Sequence, residues 1–384
     1  MITTKFRSID TEAVHAGEPS PRIGGAVAMP IFQSATFLWE GETDYHETRY
    51  VRLNNTPNHE VLHRKLAVLE RAEAALVTSS GMAAITTTLL GVLRSGDHVL
   101  ALDCPYGGTR GFLVDDLPRF GMSCTFVDPV DRASWMAALR DNTRAIYMES
   151  ITNPLMQVPD LRAVVDFARA HEIVSIVDNT FASPVNFRPA EIGFDLSVHS
   201  GTKYLNGHTD VAAGAIIGRR ELVDRLRPLL NHLGGTLDPH ACFLLHRGMK
   251  TLALRVRRQN DSAGRVARFL ERHPAISVVN YPGLPSNSGH ARASELFDGY
   301  GGMLSFDLID GLPAADRLLD HVTIPIVAVS LGGVESLIIR PAATAYANVP
   351  PDERRRLGVT DSLVRLSVGI EDPDELIEDL RAAL

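Results

Sequence analysis

Two side chains in the middle of the sequence have the types that an electron-withdrawing aldehyde cofactor requires. Lys203, one of only four lysines in the chain, follows an apolar run that begins at Leu196 and stands among small hydroxyl residues. Asp178 ends another apolar run, Ile173 to Val177. A lysine amine can form a Schiff base with pyridoxal phosphate, and a carboxylate can keep the pyridine nitrogen of that cofactor protonated. The pair therefore indicates a pyridoxal-phosphate site rather than a solvated loop lysine.

The phosphate of such a cofactor needs a site of its own. Gly81 and Met82 follow two serines and open a predicted helix, where free N–H groups and the positive end of the helix dipole favour an anion. Ser200 and Thr202 flank the lysine loop and offer hydroxyl donors to the same phosphate. Tyr106 follows a further apolar run, and its ring is a candidate to lie on the pyridine face.

Short apolar runs alternate with helical stretches through the first two thirds of the chain. Seven strands are predicted at Ala75–Thr78, His98–Leu102, Cys124–Val127, Ala145–Glu149, Ile173–Val177, Leu196–His199 and Ala213–Ile217. Most are too apolar for a sheet with one wet face, so we expect a mostly parallel seven-stranded sheet sandwiched by helices. Ligands of such sheets bind at the carboxyl ends of the strands. Met82, Asn153, Asp178 and Lys203 all lie at or just beyond predicted strand ends.

The chain is predicted to have three parts. Residues 1–57 lack clear periodicity and form an extended arm, residues 58–240 form the large cofactor-binding domain, and residues 241–384 form a smaller α+β domain. A long helix, about 240–271, links the last two parts. The smaller domain is expected to contain strands at Met303–Leu308, Ile326–Val329, Leu337–Ile339 and Leu363–Val368.

The composition is that of an ordinary globular protein. The chain has 384 residues, 45% of them hydrophobic and 22% charged, and a net charge of −8. That charge argues against nucleic acid or an anionic membrane as a partner. Cys104, Cys124 and Cys242 are widely spaced, which favours a reducing compartment over a disulfide framework or a thiolate metal site. With no apolar leader and no apolar run of about 20 residues, we expect a cytoplasmic protein.

Several ordered blocks resemble one enzyme family over nearly the whole chain. They are Thr11–Gly17, Pro30–Phe37, Tyr50-Val-Arg52 with Asn55-Thr-Pro57, Glu149–Pro154, Asp178–Phe181, His199–Tyr204, Ser330–Gly333 and Leu363–Glu371. The chain is similar to the pyridoxal-phosphate enzymes of cysteine and methionine metabolism, the group of cystathionine γ-synthase, cystathionine γ-lyase and methionine γ-lyase. The resemblance implies fold type I and a homotetramer built as a dimer of dimers.

The resemblance also implies roles for the cofactor-binding residues. Lys203 would carry the Schiff base and move protons between Cα, C4′ and Cβ, and Asp178 would pair with the pyridine nitrogen. Asn153 would meet the phenolic oxygen of the cofactor. The phosphate would be held by Gly81, Met82, Ser200 and Thr202.

Further implied residues complete the catalytic site. Tyr50 and Arg52 would reach the phosphate from a neighbouring subunit, and Tyr50 would also belong to the catalytic group. Tyr106 would stack on the ring and assist proton transfer near the leaving group. Arg365 would bind the substrate α-carboxylate through the planar fork of its guanidinium, with help from the Ser330 region.

Three positions depart from the cystathionine-processing members. Arg49 and Val329 stand where those members carry acidic residues that meet the distal end of the substrate, and Arg340 stands where a histidine is common. Unless these changes are drift on a tolerant pocket rim, a cationic distal amine would lose its carboxylate partners. We therefore expect γ-elimination from an amino acid other than cystathionine.

Three other functions remain open from the sequence. The nearest alternative is γ-replacement, in which a nucleophile is transferred to an O-acylhomoserine. His59-Glu-Val-Leu-His63 matches a zinc-hydrolase motif that places two histidines on one helix face. A protein that binds the cofactor as a regulator, without catalysis, is the last alternative, and the complete set of site residues weighs against it.

Overall fold

The computed structural model describes residues 6–384, and its centre is a seven-stranded sheet. The strands are β1 Ala74–Thr78, β2 His98–Leu102, β3 Ser123–Val127, β4 Thr143–Glu149, β5 Val174–Asp178, β6 Leu196–Ser200 and β7 Gly214–Gly218. Their order is β1-β7-β6-β5-β4-β2-β3, and β7 alone runs antiparallel to its neighbours. The predicted strand positions are correct to within two residues, and the mostly parallel α/β sheet is confirmed.

Helices cover both faces of this sheet and continue beyond it. They are α1 Ile9–His15, α2 Pro57–Leu69, α3 Gly81–Val92, α4 Gly107–Gly111, α5 Arg132–Ala138, α6 Leu161–Ala170, α7 Ser183–Asn186, α8 Pro189–Ile192, α9 Arg220–Leu233, α10 Pro239–Met249, α11 Leu252–Glu271, α12 His290–Leu296, α13 Gly311–His321, α14 Pro351–Arg356 and α15 Pro373–Ala383. Strands β1 and β2 are buried at every residue, because these helices exclude water from the sheet.

A second, five-stranded sheet forms a smaller unit with its own apolar core. Its strands are β8 Ile276–Asn280, β9 Met303–Leu308, β10 Ile326–Val327, β11 Leu337–Ile339 and β12 Leu363–Ser367, in the order β10-β11-β12-β9-β8. Strand β10 ends two residues earlier than predicted, so Val329 and Ser330 lie on the loop that follows it. The sequence prediction missed β8, an edge strand whose side chains are all at least partly exposed and which therefore lacks a strong apolar signal.

Two predictions about helices are wrong in detail. The long helix predicted at 240–271 is two helices, because Lys250 and Thr251 interrupt it between α10 and α11. The arm is not wholly extended, since it contains α1, capped by the Ser8 side chain. Helix α1 buries Ala13 and packs against α2 and α11.

None of the helices within residues 6–384 combines the length and the apolar character that are needed to cross a membrane.

Candidate active site

The polar ends of the central strands surround one cavity of about 730 Å³. Glu149 and Asp178 are the last residues of β4 and β5 and lie opposite each other in the sheet register. Ser200 ends β6, and Lys203 follows three residues later. The predicted residues that line the cavity are Gly81, Met82, Tyr106, Asn153, Asp178, Ser200, Thr202, Lys203, Val329, Ser330 and Arg365. The structure therefore brings together residues from both sheets.

Lys203 is half-buried, and its amine points at the small unit. Its Nζ donates to Oγ of Ser330 at 2.5 Å. Burial, with the positive charge of Arg365 as a second cause, lowers the pKa of Lys203 to about 8. A larger fraction of this amine is therefore neutral near pH 7 than for an ordinary lysine, and the neutral form is the one that can accept a proton or attack a carbonyl carbon.

Asp178 is buried, and its two carboxylate oxygens have separate partners. Its Oδ1 accepts the Thr180 N–H at 2.9 Å, and its Oδ2 lies 3.4 Å from the Tyr147 hydroxyl. Burial raises the pKa of Asp178, and the bonds from Thr180 together with the nearby charge of His199 act in the opposite direction. A cationic group placed beside this carboxyl would favour its ionised form.

The start of α3 is shaped to receive an anion. The first intrahelical bond runs from the Ala84 N–H to the Ser80 carbonyl at 3.1 Å, so the N–H groups of Gly81 and Met82 precede the helical ladder. A Cβ on Gly81 would lie 2.8 Å from Cβ of Ser200. Glycine at position 81 therefore allows the helix terminus to approach the Ser200 loop closely.

The two hydroxyl residues of the lysine loop differ in how their groups are used. The backbone N–H of Ser200 donates to Oγ1 of Thr180 at 2.8 Å. The hydroxyl of Thr202 is engaged with the backbone of Ala213, since it accepts the Ala213 N–H at 3.0 Å and donates to the Ala213 carbonyl at 3.2 Å. Thr202 lines the cavity while it holds its own loop to the start of β7.

Arg365 reaches the cavity from the middle of the small sheet. It lies on β12, between β11 and β9. Its Nη1 donates to Oδ1 of Asn153 at 3.2 Å, and its Nη2 donates to the Ser330 carbonyl at 3.1 Å. Burial lowers the pKa of Arg365 to about 10, so the guanidinium remains charged near neutral pH. The two hydrogen bonds to Asn153 and Ser330 hold the guanidinium of Arg365 in one orientation, at the boundary between the large and the small sheet.

The outer wall of the cavity carries Tyr106 and Val329. Tyr106 is 45% exposed and Val329 is 65% exposed, so both side chains are open to an incoming substrate. The Tyr106 N–H donates to Oε1 of Glu149 at 2.6 Å. Thr344 and Ala345 of the small unit complete this wall.

Three predicted residues of the arm lie outside the cavity of their own chain. Arg49 bonds Oε1 of Glu60 at 3.2 Å. Arg52 donates to the Asn231 carbonyl at 3.2 Å, and its guanidinium lies 5.7 Å from the ring centre of Tyr50. Arg340 also lies away from the cavity lining and pairs with Asp316 at 2.9 Å.

The zinc-hydrolase alternative is wrong, because His59 is used as part of a helix cap. Its Nδ1 lies 2.8 Å from the Thr56 hydroxyl in a capping box, and its Nε2 lies 2.7 Å from the Leu237 carbonyl. Neither ring nitrogen is available to a metal. Within the described part of the chain, no three His, Cys, Asp or Glu side chains are grouped as metal ligands.

The sequence analysis missed several residues that hold the site. Thr180, Glu149 and Tyr147 each contact a predicted residue directly. Thr180 and Glu149 stand inside sequence blocks that pointed to the family, and their position at a strand end was the available signal. Tyr147 shows no such signal, because a tyrosine in an apolar strand is usually a core residue.

Comparison with known proteins identifies the family. The family model of Cys/Met metabolism PLP-dependent enzymes matches residues 10–384. The chain belongs to this family. An L-methionine gamma-lyase of Fusobacterium nucleatum subsp. polymorphum is 41% identical over 394 aligned residues, covering 100% of this chain and 99% of the relative. A cystathionine gamma-lyase of Bacillus subtilis is 41% identical, covering 97% of this chain and 98% of the relative.

Solved structures agree with this assignment. The crystal structure of cystathionine gamma-lyase from Lactobacillus plantarum, complexed with L-serine, superimposes with a TM-score of 0.93 at 36% identity, covering 98% of each chain. The predictions of the family, of fold type I, of pyridoxal phosphate as cofactor and of a lyase are confirmed. The prediction of γ-elimination is confirmed at the level of the reaction class, with an amino acid as the small-molecule substrate and its identity left open.

The residues of the cavity fit pyridoxal phosphate. A close helix terminus at Gly81 suits the phosphate, a buried carboxyl at Asp178 suits a protonated ring nitrogen, and the amine of Lys203 suits covalent attachment. The three groups line one cavity.

Proposed function

We propose that this enzyme eliminates the γ-substituent of an amino acid whose side chain has no distal amine. The observation that carries the proposal is the outer wall of the cavity, where Tyr106, Val329, Thr344 and Ala345 supply no carboxylate. A distal ammonium group would find no ion-pair partner on this wall. Nothing would therefore offset the free energy that is needed to remove this charge from water.

The carboxylates of the cavity lining are already committed elsewhere. Among the residues that line it, Glu149 and Asp178 are the acidic ones, and each is at least nine-tenths buried at the end of its strand. Asp178 is suited to a ring nitrogen, and Glu149 holds the Tyr106 backbone. Neither is placed to meet the far end of a substrate that enters past Tyr106.

The residues of the site then have separate tasks. Bound pyridoxal phosphate supplies an electron sink that makes the Cα and Cβ protons of the substrate acidic. Lys203 moves those protons, since burial makes a larger fraction of its amine neutral than in an ordinary lysine. Arg365 binds the substrate α-carboxylate with its planar fork, next to Asn153 and Ser330.

The phosphate and ring contacts complete this assignment. Gly81 and Met82 hold the phosphate through backbone N–H groups at the start of α3, with Ser200 and Thr202 on the facing loop. The ring of Tyr106 stacks on the pyridine and assists proton transfer near the leaving group, a role that its exposure to the cavity permits.

The arm completes the site of a neighbouring subunit in this proposal. Tyr50 and Arg52 sit outside the cavity of their own chain, which agrees with a role in another one. The assembly is a homotetramer made of two such dimers. Residues 1–57 form the arm, of which 1–5 lie outside the described residues, 58–240 form the large domain and 241–384 the small domain, and the protein is cytoplasmic.

A panel of substrates tests the proposal. The holoenzyme is incubated with a homoserine ester, methionine, cystathionine and homocysteine, and 2-oxo acid and ammonia are measured. We expect the best rate from a compound without a distal amine, and cystathionine to be poor. Adding a thiol separates the two fates, because a γ-replacement enzyme would convert the homoserine ester into a thioether instead of releasing ammonia. Cystathionine cleavage at the best rate of the panel would contradict the proposal.

A further inference from the structure

Glu149 is a buried carboxyl in the cavity, and the only contact described for it so far is with the backbone of Tyr106. Its side chain belongs to a residue that is only 5% exposed, at the last position of β4. In the sheet register it stands beside Asp178, and burial together with the charge of Asp178 raises the pKa of Glu149. Two adjacent carboxyls are costly to bury, so the contacts of Glu149 must offset that cost.

Those contacts are two backbone N–H groups from two different loops. The Tyr106 N–H donates to Oε1 at 2.6 Å, and the Asn153 N–H interacts with the same carboxyl. Tyr106 ends the loop between β2 and α4, and Asn153 lies in the loop that follows β4 itself. One side chain therefore ties two loops to a single strand end.

The two loops need their contacts with Glu149, because their other contacts do not involve the backbone N–H groups of Tyr106 and Asn153. The ring of Tyr106 packs over Gly108, where an added Cβ would lie 2.7 Å from the ring and 2.9 Å from the sulfur of Met82. Asn153 accepts from Arg365 through its side chain and from the Tyr346 hydroxyl through its carbonyl at 2.9 Å. The backbone N–H of each residue is left to Glu149.

We propose that Glu149 is a positioning residue. By accepting from the two backbone N–H groups, it fixes where the ring of Tyr106 and the side-chain amide of Asn153 stand relative to each other at the cofactor. This inference rests on the proposed function, which assigns Tyr106 to the ring face and Asn153 to the phenolic oxygen. Glu149 acts through these two residues, and its own carboxyl stays at the strand end.

The test is amide hydrogen exchange on the cofactor-free protein, read for residues 104–108 and 152–154. Glu149→Ala removes both carboxyl oxygens, which are the acceptors for the N–H groups of Tyr106 and Asn153. We expect exchange of both segments to accelerate about twofold to tenfold, the factor for losing one hydrogen bond. In the reconstituted protein, the visible circular dichroism of the cofactor should weaken, because the ring loses its fixed orientation.

Glu149→Gln distinguishes anchoring from a general loss of stability. Glutamine keeps one acceptor oxygen where Glu149 has two, and its NH₂ group cannot accept at all. We expect a segment whose N–H still meets the glutamine oxygen to keep its protection, and exchange in neither segment to exceed that of the Glu149→Ala protein. Glu70→Gln is the matched control, because Glu70 is equally buried and bonds Asn179 and His199 instead. It should leave both segments unchanged.

Three outcomes separate the possibilities. Unchanged exchange in both segments of the Glu149→Ala protein overturns the inference. If that variant does not fold, native protection of both segments in the Glu149→Leu protein, which has no acceptor at this position, overturns it as well. If exchange accelerates as expected while no member of the substrate panel releases a γ-substituent, the anchoring stands and the proposed function fails.

Discussion

Nζ of Lys203 donates to Oγ of Ser330 at 2.5 Å, and this bond joins the loop between β6 and β7 of the large sheet to the loop between β10 and β11 of the small one. Ser330 has a φ of 92°, a left-handed conformation that a residue with a Cβ rarely adopts. Such a conformation costs about 1–3 kcal/mol and persists only where its surroundings enforce it. Here Nη2 of Arg365 donates to the Ser330 carbonyl at 3.1 Å. The guanidinium of Arg365 and the amine of Lys203 therefore both donate a hydrogen bond to Ser330.

The first prediction concerns the pH at which the cofactor attaches. The neutral amine of Lys203 is the attacking form, so reconstitution of the cofactor-free protein should speed up as pH rises through about 8. The charge of Arg365 lowers the pKa of Lys203, and Arg365→Gln should therefore move the midpoint to higher pH. The measurement is the rate of growth of the visible band. Arg340→Gln, which removes an arginine outside the cavity, should leave the midpoint in place; an unmoved midpoint in Arg365→Gln would refute the coupling.

The second prediction concerns the approach of α3 to the lysine loop. In Gly81→Ala the new Cβ would lie 2.8 Å from Cβ of Ser200, and the helix terminus must move away. Overpacking costs about 1–3 kcal/mol, so pyridoxal phosphate should bind about tenfold to hundredfold more weakly. Titration of the cofactor-free protein measures this. Gly264→Ala is the control, since its nearest neighbour is the end of Arg268 at 3.4 Å. Equal affinities in the two variants would contradict the phosphate assignment.

The fold was largely predictable because its strands are apolar runs with polar ends. Asp178 and Lys203 could be placed at one edge of the sheet from that pattern alone, since parallel strands end together. The contact between Arg365 and Asn153 could not be found in this way, because it joins a strand of the small sheet to a loop that follows β4 of the large one.

Weak local signals account for the parts of the structure that were missed. Helix α1 is seven residues long, and β8 is a partly exposed edge strand, so neither shows a strong periodicity. Glu149 was not predicted as a site residue, because a glutamate at a strand end is usually solvated. Its burial depends on how the loops after β2 and β4 fold over it, which is a property of the tertiary structure.

The third prediction concerns the arm. If Arg52 completes the site of a neighbour, Arg52→Ala and Lys203→Ala subunits should complement when they are mixed. Random pairing at equal amounts makes half of the dimers hybrid, each with one intact site, so roughly a quarter of the wild-type activity should return. Mass spectrometry of the mixture must first show that the subunits exchange. With exchange shown, no recovery would place the arm in its own subunit or away from any site.

The fourth prediction concerns the distal end of the substrate. Replacing Arg49 and Val329 by Glu together should restore partners for a distal amine and shift preference toward cystathionine. Each charge-assisted contact contributes about 1.5–3 kcal/mol, hence about tenfold to hundredfold in kcat/KM per contact. The measurement is the ratio of kcat/KM for cystathionine to that for a homoserine ester. Val329→Gln, which adds a polar group without charge, is the control for the shape of the wall. A ratio that stays unchanged in the double variant would show that these two positions do not select the substrate.

The fifth prediction is the most direct test of the account, because every role proposed for the cavity depends on Lys203. The purified enzyme is treated with borohydride, which makes the link between pyridoxal phosphate and its lysine permanent, and the peptides are mapped. The account predicts a yellow protein with the cofactor fixed on Lys203 alone, and neither label nor turnover in Lys203→Ala. Attachment at Lys5, Lys65 or Lys250, or full turnover without Lys203, would contradict it.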